Sequence, residues 1–291
     1  MRRFDRRRAW RGVLIGGVSL FGALCYLYLT LPDVRPLARV NPRTTAFIEL
    51  RTEEARRAGR DERRAWRWVP YARIAPSLRR AVVAAEDGAF WTHRGIDPDE
   101  IEASLRANLP RGRVPRGAST ITQQLAKNLY LSPSRDPVRK LRELFIARRL
   151  EAELPKRRIL EIYLNVIEWG RGVYGAEAAA YRYFRKPASA LAPAEAALLA
   201  GAIVNPRVLN PAQPSTGLRW RQRLILRRLR EPLSPGPLRA APPPADADVL
   251  EPSEVVPQAD EPLDPAAIFG RPAPAEPAGD EEEAPEEGGS P

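Results

Sequence analysis

The side chains of this chain best suited to chemistry are carboxylates set close to cations. Glu86 and Asp87 are adjacent in "EDGAFWTHRG", which also holds His93, the one histidine among 291 residues. Neighbours on a helix point about 100° apart, so only one of the two acids can face a given cleft. Glu86 follows Leu78, Ala81, Val82 and Ala85 at helical spacing and falls on or beside the buried face. Apolar surroundings raise a carboxyl's pKa toward the range of a general acid or base. A second acid, Glu143 in "RKLRE", lies four residues after Arg139 and three after Lys140, an acid among bases on one helical face. The same spacing also describes a surface salt-bridge ladder. Glu161, inside the apolar "ILEIYLN", needs a partner, and structural pairing accounts for it.

Between these acids runs "RGASTITQQLAKNLYL", residues 116–131. Ser119, Thr120, Thr122, Gln123, Gln124, Lys127 and Asn128 form a dense run of donors that suits a hydroxyl-rich or phosphorylated ligand, with Lys127, Arg135 and Lys140 as anion binders. A solvated polar helix would carry the same composition. A zinc site needs three or four ligands, mostly His and Cys, and past residue 31 the chain has one His and no Cys. His93 could belong to a Ser-His-Asp arrangement, but no nucleophile elbow accompanies it. It reads instead as a hydrogen-bonding support for the turn after the Glu86 helix.

Helices must position these groups. "PSLRRAVVAAEDGAF" has Ser77 as its expected N-cap. Asp136 as N-cap and Pro137 at the first helical position start the next, with Val138, Leu141, Phe145 and the Leu144/Ile146 pair as its apolar side. "KRRILEIYLNVIEW" is apolar on most sides, which marks a helix through the core. "YGAEAAAYRYF" and "LAPAEAALLAGAIV" are small-residue helices suited to close packing, and "TGLRWRQRLILRRLRE" is basic and amphipathic. Only "TTAFIEL" looks strand-like. Without phosphate-cradling glycine loops or enough strands for a wound sheet, the expected fold is mainly α.

The ends differ from the middle. Residues 13–31 carry no charge over about 28 Å of helix, enough to cross a bilayer. Six Arg and one Asp precede them, which places the N-terminus in the cytoplasm and the rest outside. A cleaved signal peptide has similar regions, but "YLYLTLPD" offers no cleavage site, so an uncleaved anchor is expected. Cys25, the sole cysteine, lies in this span, so no intrachain disulfide forms. Residues 240–291 hold 14 acids and one Arg, leaving 46 basic against 22 acidic side chains before them. Such a body favours polyanions. From 232 onward the Pro, Ala and acid content predicts a disordered tail. The expected division is 1–12 cytoplasmic, 13–31 anchor, 32–65 membrane-proximal connection, 66–231 catalytic domain and 232–291 tail.

Taken in order, "EDGAFWTHRG", "GASTITQQLAKN", "RKLRE", "KRRILEIYLN" and "GVYGAEAAAYRYF" resemble the five motifs of the peptidoglycan glycosyltransferases, over roughly residues 66–210. With no S-x-x-K, S-x-N and K-T-G set, the chain is similar to the monofunctional members, which lack a transpeptidase domain. The resemblance implies a lysozyme-like helical lobe with a smaller membrane-proximal lobe, and polymerisation of lipid II into glycan strands with release of undecaprenyl pyrophosphate. It implies Glu86 as general base on the acceptor 4-hydroxyl and Glu143 as the second, donor-side glutamate, well separated from it. Lys127 and Arg135 match phosphate-contacting positions, Lys140 is a third candidate, and Ser119, Gln123, Gln124 and Asn128 line the same cleft. A divalent cation, Mg or Mn, could accompany the pyrophosphate, though the sequence shows no protein cage for it. The resemblance places the protein in the bacterial inner membrane with its catalytic domain in the periplasm. Its partners would be lipid II, the growing strand, the membrane and other cell-wall synthesis proteins, and no nucleic acid. A lytic enzyme of lysozyme-like fold and a non-catalytic envelope scaffold are the competing readings.

Overall fold

A computed structural model of the chain describes residues 6–60, 64–108, 119–134 and 136–230. Arg135 and the expected tail from 232 lie outside these residues, and so does Gly117. The described part is mainly helical, with a small sheet.

Helix α1 (Arg6–Leu29) includes an apolar stretch, Trp10–Leu29, long enough to cross a membrane, and its large side chains such as Val13, Ile15 and Phe21 are exposed. Its far end is gripped by α6 (Pro137–Glu153). Arg142 donates to the Thr30 carbonyl at 3.1 Å, and Arg149 donates to the Tyr28 and Leu31 carbonyls at 3.3 Å each. The Arg149 guanidinium also lies 4.5 Å from the Tyr28 ring centroid, and Phe145 meets that ring edge-on. The helix that carries Glu143 is therefore tied directly to the apolar span.

The "TTAFIEL" segment is not a strand. It opens α2 (Ala46–Arg57), whose N-cap Thr45 accepts a hydrogen bond from the Ile48 N–H at 3.1 Å. The apolar alternation is short, whereas the following "RTEEARR" supplies helical pairs: Arg51 to Glu54, and Arg56 and Arg57 to Glu53. Capping and pairing outweigh four residues of alternation. Helix α2 packs on α5 (Ile121–Tyr130).

Helix α3 (Pro76–Glu86) starts earlier than Ser77 suggested. Pro76 takes the first helical position and Ala75 the cap, so the Ser77 hydroxyl donates instead to the Leu191 carbonyl at 2.8 Å. Leu78, Ala81, Val82 and Ala85 are buried, as the spacing requires. After α4 (Pro98–Asn108) and α5, helix α6 begins as read, with the Asp136 carboxylate accepting from the Val138 N–H at 3.0 Å. Its buried face differs from the expected one: Glu143, Ile146, Ala147 and Leu150 point in, while Val138 is 55% exposed.

Helix α7 (Lys156–Val166) is the core helix, with Ile159, Leu160, Ile162, Tyr163, Leu164 and Val166 all buried. Glu161 is paired with Arg158 at 2.7 Å. Beyond it, β2 (Glu168–Gly170) and β3 (Val173–Tyr174) form a hairpin, and β1 (Ala65–Trp66) adds to β3 in parallel, giving the order β1-β3-β2. Asn165 ties this sheet to α7: its side chain exchanges both hydrogen bonds with the Val69 backbone, at 2.9 and 3.0 Å. Gly175 has φ +80, and a Cβ there would stand 2.8 Å from the Asn165 carbonyl, so only glycine fits. Helices α8 (Ala176–Phe184), α9 (Pro193–Ala202) and α10 (Thr216–Arg230) complete the fold, α9 and α10 packing with α3. Small residues of α9, Ala196, Ala197 and Ala200, are fully buried, which permits this close approach.

Candidate active site

Helix α3 ends at Glu86, and the backbone of Asp87 is extended (φ −163), so the two adjacent acids part company. Asp87 turns inward and is 5% exposed. Its Oδ2 accepts from the Ile121 N–H at 2.8 Å, which places a carboxylate on the N-terminus of α5. The same carboxylate lies 2.9 and 3.0 Å from His93 Nε2. The other ring nitrogen, Nδ1, accepts from the Gly95 N–H at 3.1 Å, so Nε2 carries the proton and donates it to Asp87. Both nitrogens are occupied, and neither can take a proton from a nucleophile. His93 is a support for the turn, as its isolation in the sequence suggested.

That turn holds α5 in place. The Thr120 hydroxyl donates to the Gly95 carbonyl at 2.8 Å and accepts from the Gln123 N–H at 3.2 Å as N-cap. Gly95 has φ +84, and a Cβ there would be 3.1 Å from Glu151 Cγ and 3.2 Å from the Ala147 carbonyl oxygen. Glycine is needed both for the conformation and for the approach to α6.

With its N-terminus fixed, α5 presents Gln124 to Glu86. Gln124 Nε2 donates to Glu86 Oε2 at 2.9 Å, and the Tyr163 hydroxyl donates to Gln124 Oε1 at 2.8 Å. Burial pushes the Glu86 carboxyl above the usual carboxylate range. The Gln124 hydrogen bond and the charges of Arg221 and Lys127 oppose that rise, and Asp87 adds to it. Burial also holds the Tyr163 hydroxyl well above its ordinary range, so it remains a donor. Asn128 Nδ2 donates to the Gln124 carbonyl at 2.8 Å. Gln124, Lys127, Asn128 and Tyr163 line a cavity of about 280 Å³ together with Arg51 and Arg207.

The second acid lies on α6. Glu143 is 3% exposed, which excludes the surface ladder. Its Oε2 accepts from Arg139 at 2.8 Å and its Oε1 from Lys140, and the Lys140 ammonium is 3.4 Å from the Ser119 hydroxyl. Lys127 feels both acids: burial lowers the pKa of its ammonium, as do the charges of Arg139 and Lys140, while Glu143 and Glu86 raise it. The arrangement is a half-buried base candidate hydrogen-bonded to Gln124, a cation that feels its charge, and a group of cations held by a buried carboxylate.

Of the residues singled out in the sequence, Glu86, Gln124, Lys127 and Asn128 come together on one side, and Ser119, Lys140 and Glu143 on the other. Gln123 stays apart, buried at the third helical position of α5. Arg135 lies outside the described residues. Sequence reasoning missed the roles of Tyr163, Arg51, Arg207 and Arg221. Arg221 sits on helix α10, read from the sequence as basic and amphipathic, and it turns inward to donate to the Gly201 carbonyl at 3.0 Å. Arg228 of the same helix donates to the Ala84 carbonyl at 3.0 Å. Arg219, Arg223, Arg227 and Arg230 remain exposed. Among the described residues no cluster of three or more His, Cys, Asp or Glu side chains could hold a metal ion. Glu143 is already engaged by two cations.

A family model described as Transglycosylase matches residues 52–230, a span that takes in both glutamates, α5 and α10. A biosynthetic peptidoglycan transglycosylase of Laribacter hongkongensis is 48% identical over 189 residues, 65% of this chain and 83% of that protein. The protein of the same name from Nitrosospira multiformis is 46% identical over 226 residues, 78% of this chain and 97% of its own length. A third, from Azoarcus sp., is 53% identical over 167 residues, 57% of this chain and 72% of that one.

Proposed function

The chain belongs to the transglycosylase family as a peptidoglycan glycosyltransferase, and we propose that its substrate is lipid II, polymerised into β-1,4 glycan strands with release of undecaprenyl pyrophosphate. The observation that carries this reading is a half-buried Glu86 hydrogen-bonded to Gln124 together with a cation group gathered on Glu143, with Lys127 under the influence of both acids.

The reaction joins the acceptor sugar's 4-hydroxyl oxygen to the donor's anomeric carbon as the bond from that carbon to the pyrophosphate breaks. Pyrophosphate already leaves well, so the enzyme chiefly needs a base for the hydroxyl proton and positive charge for the departing oxygens. Glu86, made more basic by burial, takes the proton. Lys140, Arg139 and Lys127 receive the developing phosphate charge, with Ser119 as a further donor, and Arg135 is proposed on the same side. Glu143 holds Arg139 and Lys140 at the donor site and limits their mutual repulsion. Attack from the face opposite the pyrophosphate inverts the anomeric centre. A divalent cation, Mg or Mn, is proposed to enter with the substrate's pyrophosphate.

The uncharged stretch at 13–31 and the arginines before it support an inner-membrane anchor with the N-terminus cytoplasmic and the catalytic domain periplasmic. The grip of α6 on the end of α1 supports a donor site close to the membrane surface, where a lipid-linked pyrophosphate lies. Other cell-wall synthesis proteins are proposed as neighbours in that membrane. Incubation of the full-length protein with lipid II tests the reading: glycan strands form with wild type and not with Glu86→Gln. Release of fragments from purified sacculi, with no polymer from lipid II, would establish a lytic enzyme instead.

A further inference from the structure

The cavity beside Glu86 is also lined by two cations that the proposed reaction does not use. Arg51 comes from α2 and Arg207 from the turn after α9, and both line it together with Gln124 and Lys127. Between them stands Glu168, 5% exposed, with Arg51 Nε 3.4 Å from one carboxylate oxygen and Arg207 Nε 3.7 Å from the other. Glu54 faces the same pair: Arg51 donates to it at 2.7 Å, whereas Arg207 approaches only to 3.9 Å.

These distances separate Arg207 from an ordinary ion-pair hub, whereas Arg51 is paired with Glu54 through one nitrogen and leaves its Nε unengaged. The contacts of Arg207 with carboxylates exceed hydrogen-bond length. Among the described residues Nε of Arg207 and Nε of Arg51 have no hydrogen-bond partner. Each side chain is only about a quarter exposed, at 25% and 23%. A guanidinium withdrawn from water to that extent loses solvation that distant carboxylates do not return. Its planar fork matches an oxyanion, which would supply short charge-assisted hydrogen bonds. Glu168 holds the two like charges side by side, and Lys127 adds a third cation on the same cavity.

We propose that Arg51 and Arg207 form an anion subsite for the acceptor molecule, taking an oxyanion of the incoming lipid-linked sugar, either its pyrophosphate or a carboxylate of its peptide. This rests on the reading that Glu86 serves the acceptor. Gln124, hydrogen-bonded to Glu86, lines the same cavity, so an anion held there belongs to the molecule whose hydroxyl Glu86 deprotonates. The cations gathered on Glu143 for the departing pyrophosphate, Arg139 and Lys140, are a different pair, and Lys127 alone is shared between the two groups.

The test is the lipid II dependence of polymerisation by the full-length protein in detergent, for wild type, Arg207→Gln and Arg207→Lys, with thermal melting of each. Failure of wild type to polymerise lipid II would overturn the proposed function rather than the subsite. Given an active wild type, Arg207→Gln raises KM for lipid II about tenfold, the loss of roughly one charge-assisted contact, with kcat within about twofold. Arg207→Lys keeps the charge, loses the fork and raises KM by a smaller factor. A wild-type KM in either folded variant would overturn the subsite, as would a lower melting temperature with unchanged kinetics, the mark of a purely structural hub. Repeating the comparison on lipid II whose peptide carboxylates are amidated identifies the ligand. A KM defect that persists assigns the pyrophosphate, and one that vanishes assigns the peptide.

Discussion

The amide of Gln124 donates to Glu86 at 2.9 Å, and Tyr163 fixes which end of that amide is presented by donating to its oxygen at 2.8 Å. Amide nitrogen and oxygen are nearly the same size, and without Tyr163 the group could turn its oxygen toward the carboxylate. Because the Gln124 N–H favours the charged form of Glu86, removing it raises a carboxyl that burial already holds above the usual range. Glu86 must be ionised to act as base, so Gln124→Leu moves the acidic limb of the kcat/KM profile to higher pH. At neutral pH it lowers the rate roughly tenfold, the value of a lost hydrogen bond to a charged group. Tyr163→Phe shifts the limb in the same direction by less. A limb that stays in place in both variants would remove Glu86 from the role of base.

Glu86→Gln should separate activity from stability. The folded-state pKa of Glu86 is raised, so the folded protein binds its proton more tightly than the unfolded chain does. Stability is therefore lost as pH rises from the unfolded value toward the folded one. A neutral isostere removes that cost at neutral pH, and its own oxygen can accept from Gln124. The variant melts at or above the wild-type temperature at neutral pH, and this difference shrinks as pH falls below the ordinary carboxylate pKa. Polymerisation meanwhile falls by roughly two to four orders of magnitude. A lower melting temperature at neutral pH would show that the ionised carboxylate holds the fold together.

His93→Gln and Gly95→Ala act on the turn rather than on chemistry. The first removes the Asp87 partner and the acceptor for the Gly95 N–H, costing about 1–3 kcal/mol of stability. The second forces a Cβ to within 3.2 Å of the Ala147 carbonyl at a positive φ, a strain of similar size. Both lower the urea midpoint while leaving kcat at permissive temperature within a few-fold of wild type. Loss of turnover in a His93→Gln protein with an unchanged midpoint would return the histidine to the catalytic group.

The parts of this site legible in the sequence are those written within one element. Leu78 to Ala85 place Glu86 by helical spacing alone, and Asp136 with Pro137 start α6 where expected. Misreadings arose where a local pattern was shorter than its competitor, as in α2, where the Thr45 cap and the Glu53 pairs outweigh the alternation of "TTAFIEL". Burial of Glu143 was not legible, because i+3 and i+4 spacing to cations is the same on a wet face and a dry one. Arg207 meets Glu54 and Glu168, and Arg221 comes to act on Glu86, only after the chain has folded, and no spacing rule connects residues so far apart.

Arg221 provides the last expectation, because it influences Glu86 without lining the cavity. Burial lowers its guanidinium pKa, and Glu86 raises it. In return its charge helps to hold the Glu86 carboxyl down against burial. Its Nε is anchored on the Gly201 carbonyl at 3.0 Å, so α9 and α10 together set where this charge stands. Arg221→Gln keeps a donor for Gly201 and removes the charge. The acidic limb of kcat/KM then moves to higher pH, as with Gln124→Leu, but kcat at the pH optimum stays within about twofold and KM for lipid II is unchanged. Arg221→Lys restores the limb toward its wild-type position. If the limb does not move in Arg221→Gln while melting temperature falls, the arginine is a packing residue of α10, and the basicity of Glu86 is set within the cleft by burial, Gln124, Asp87 and Lys127.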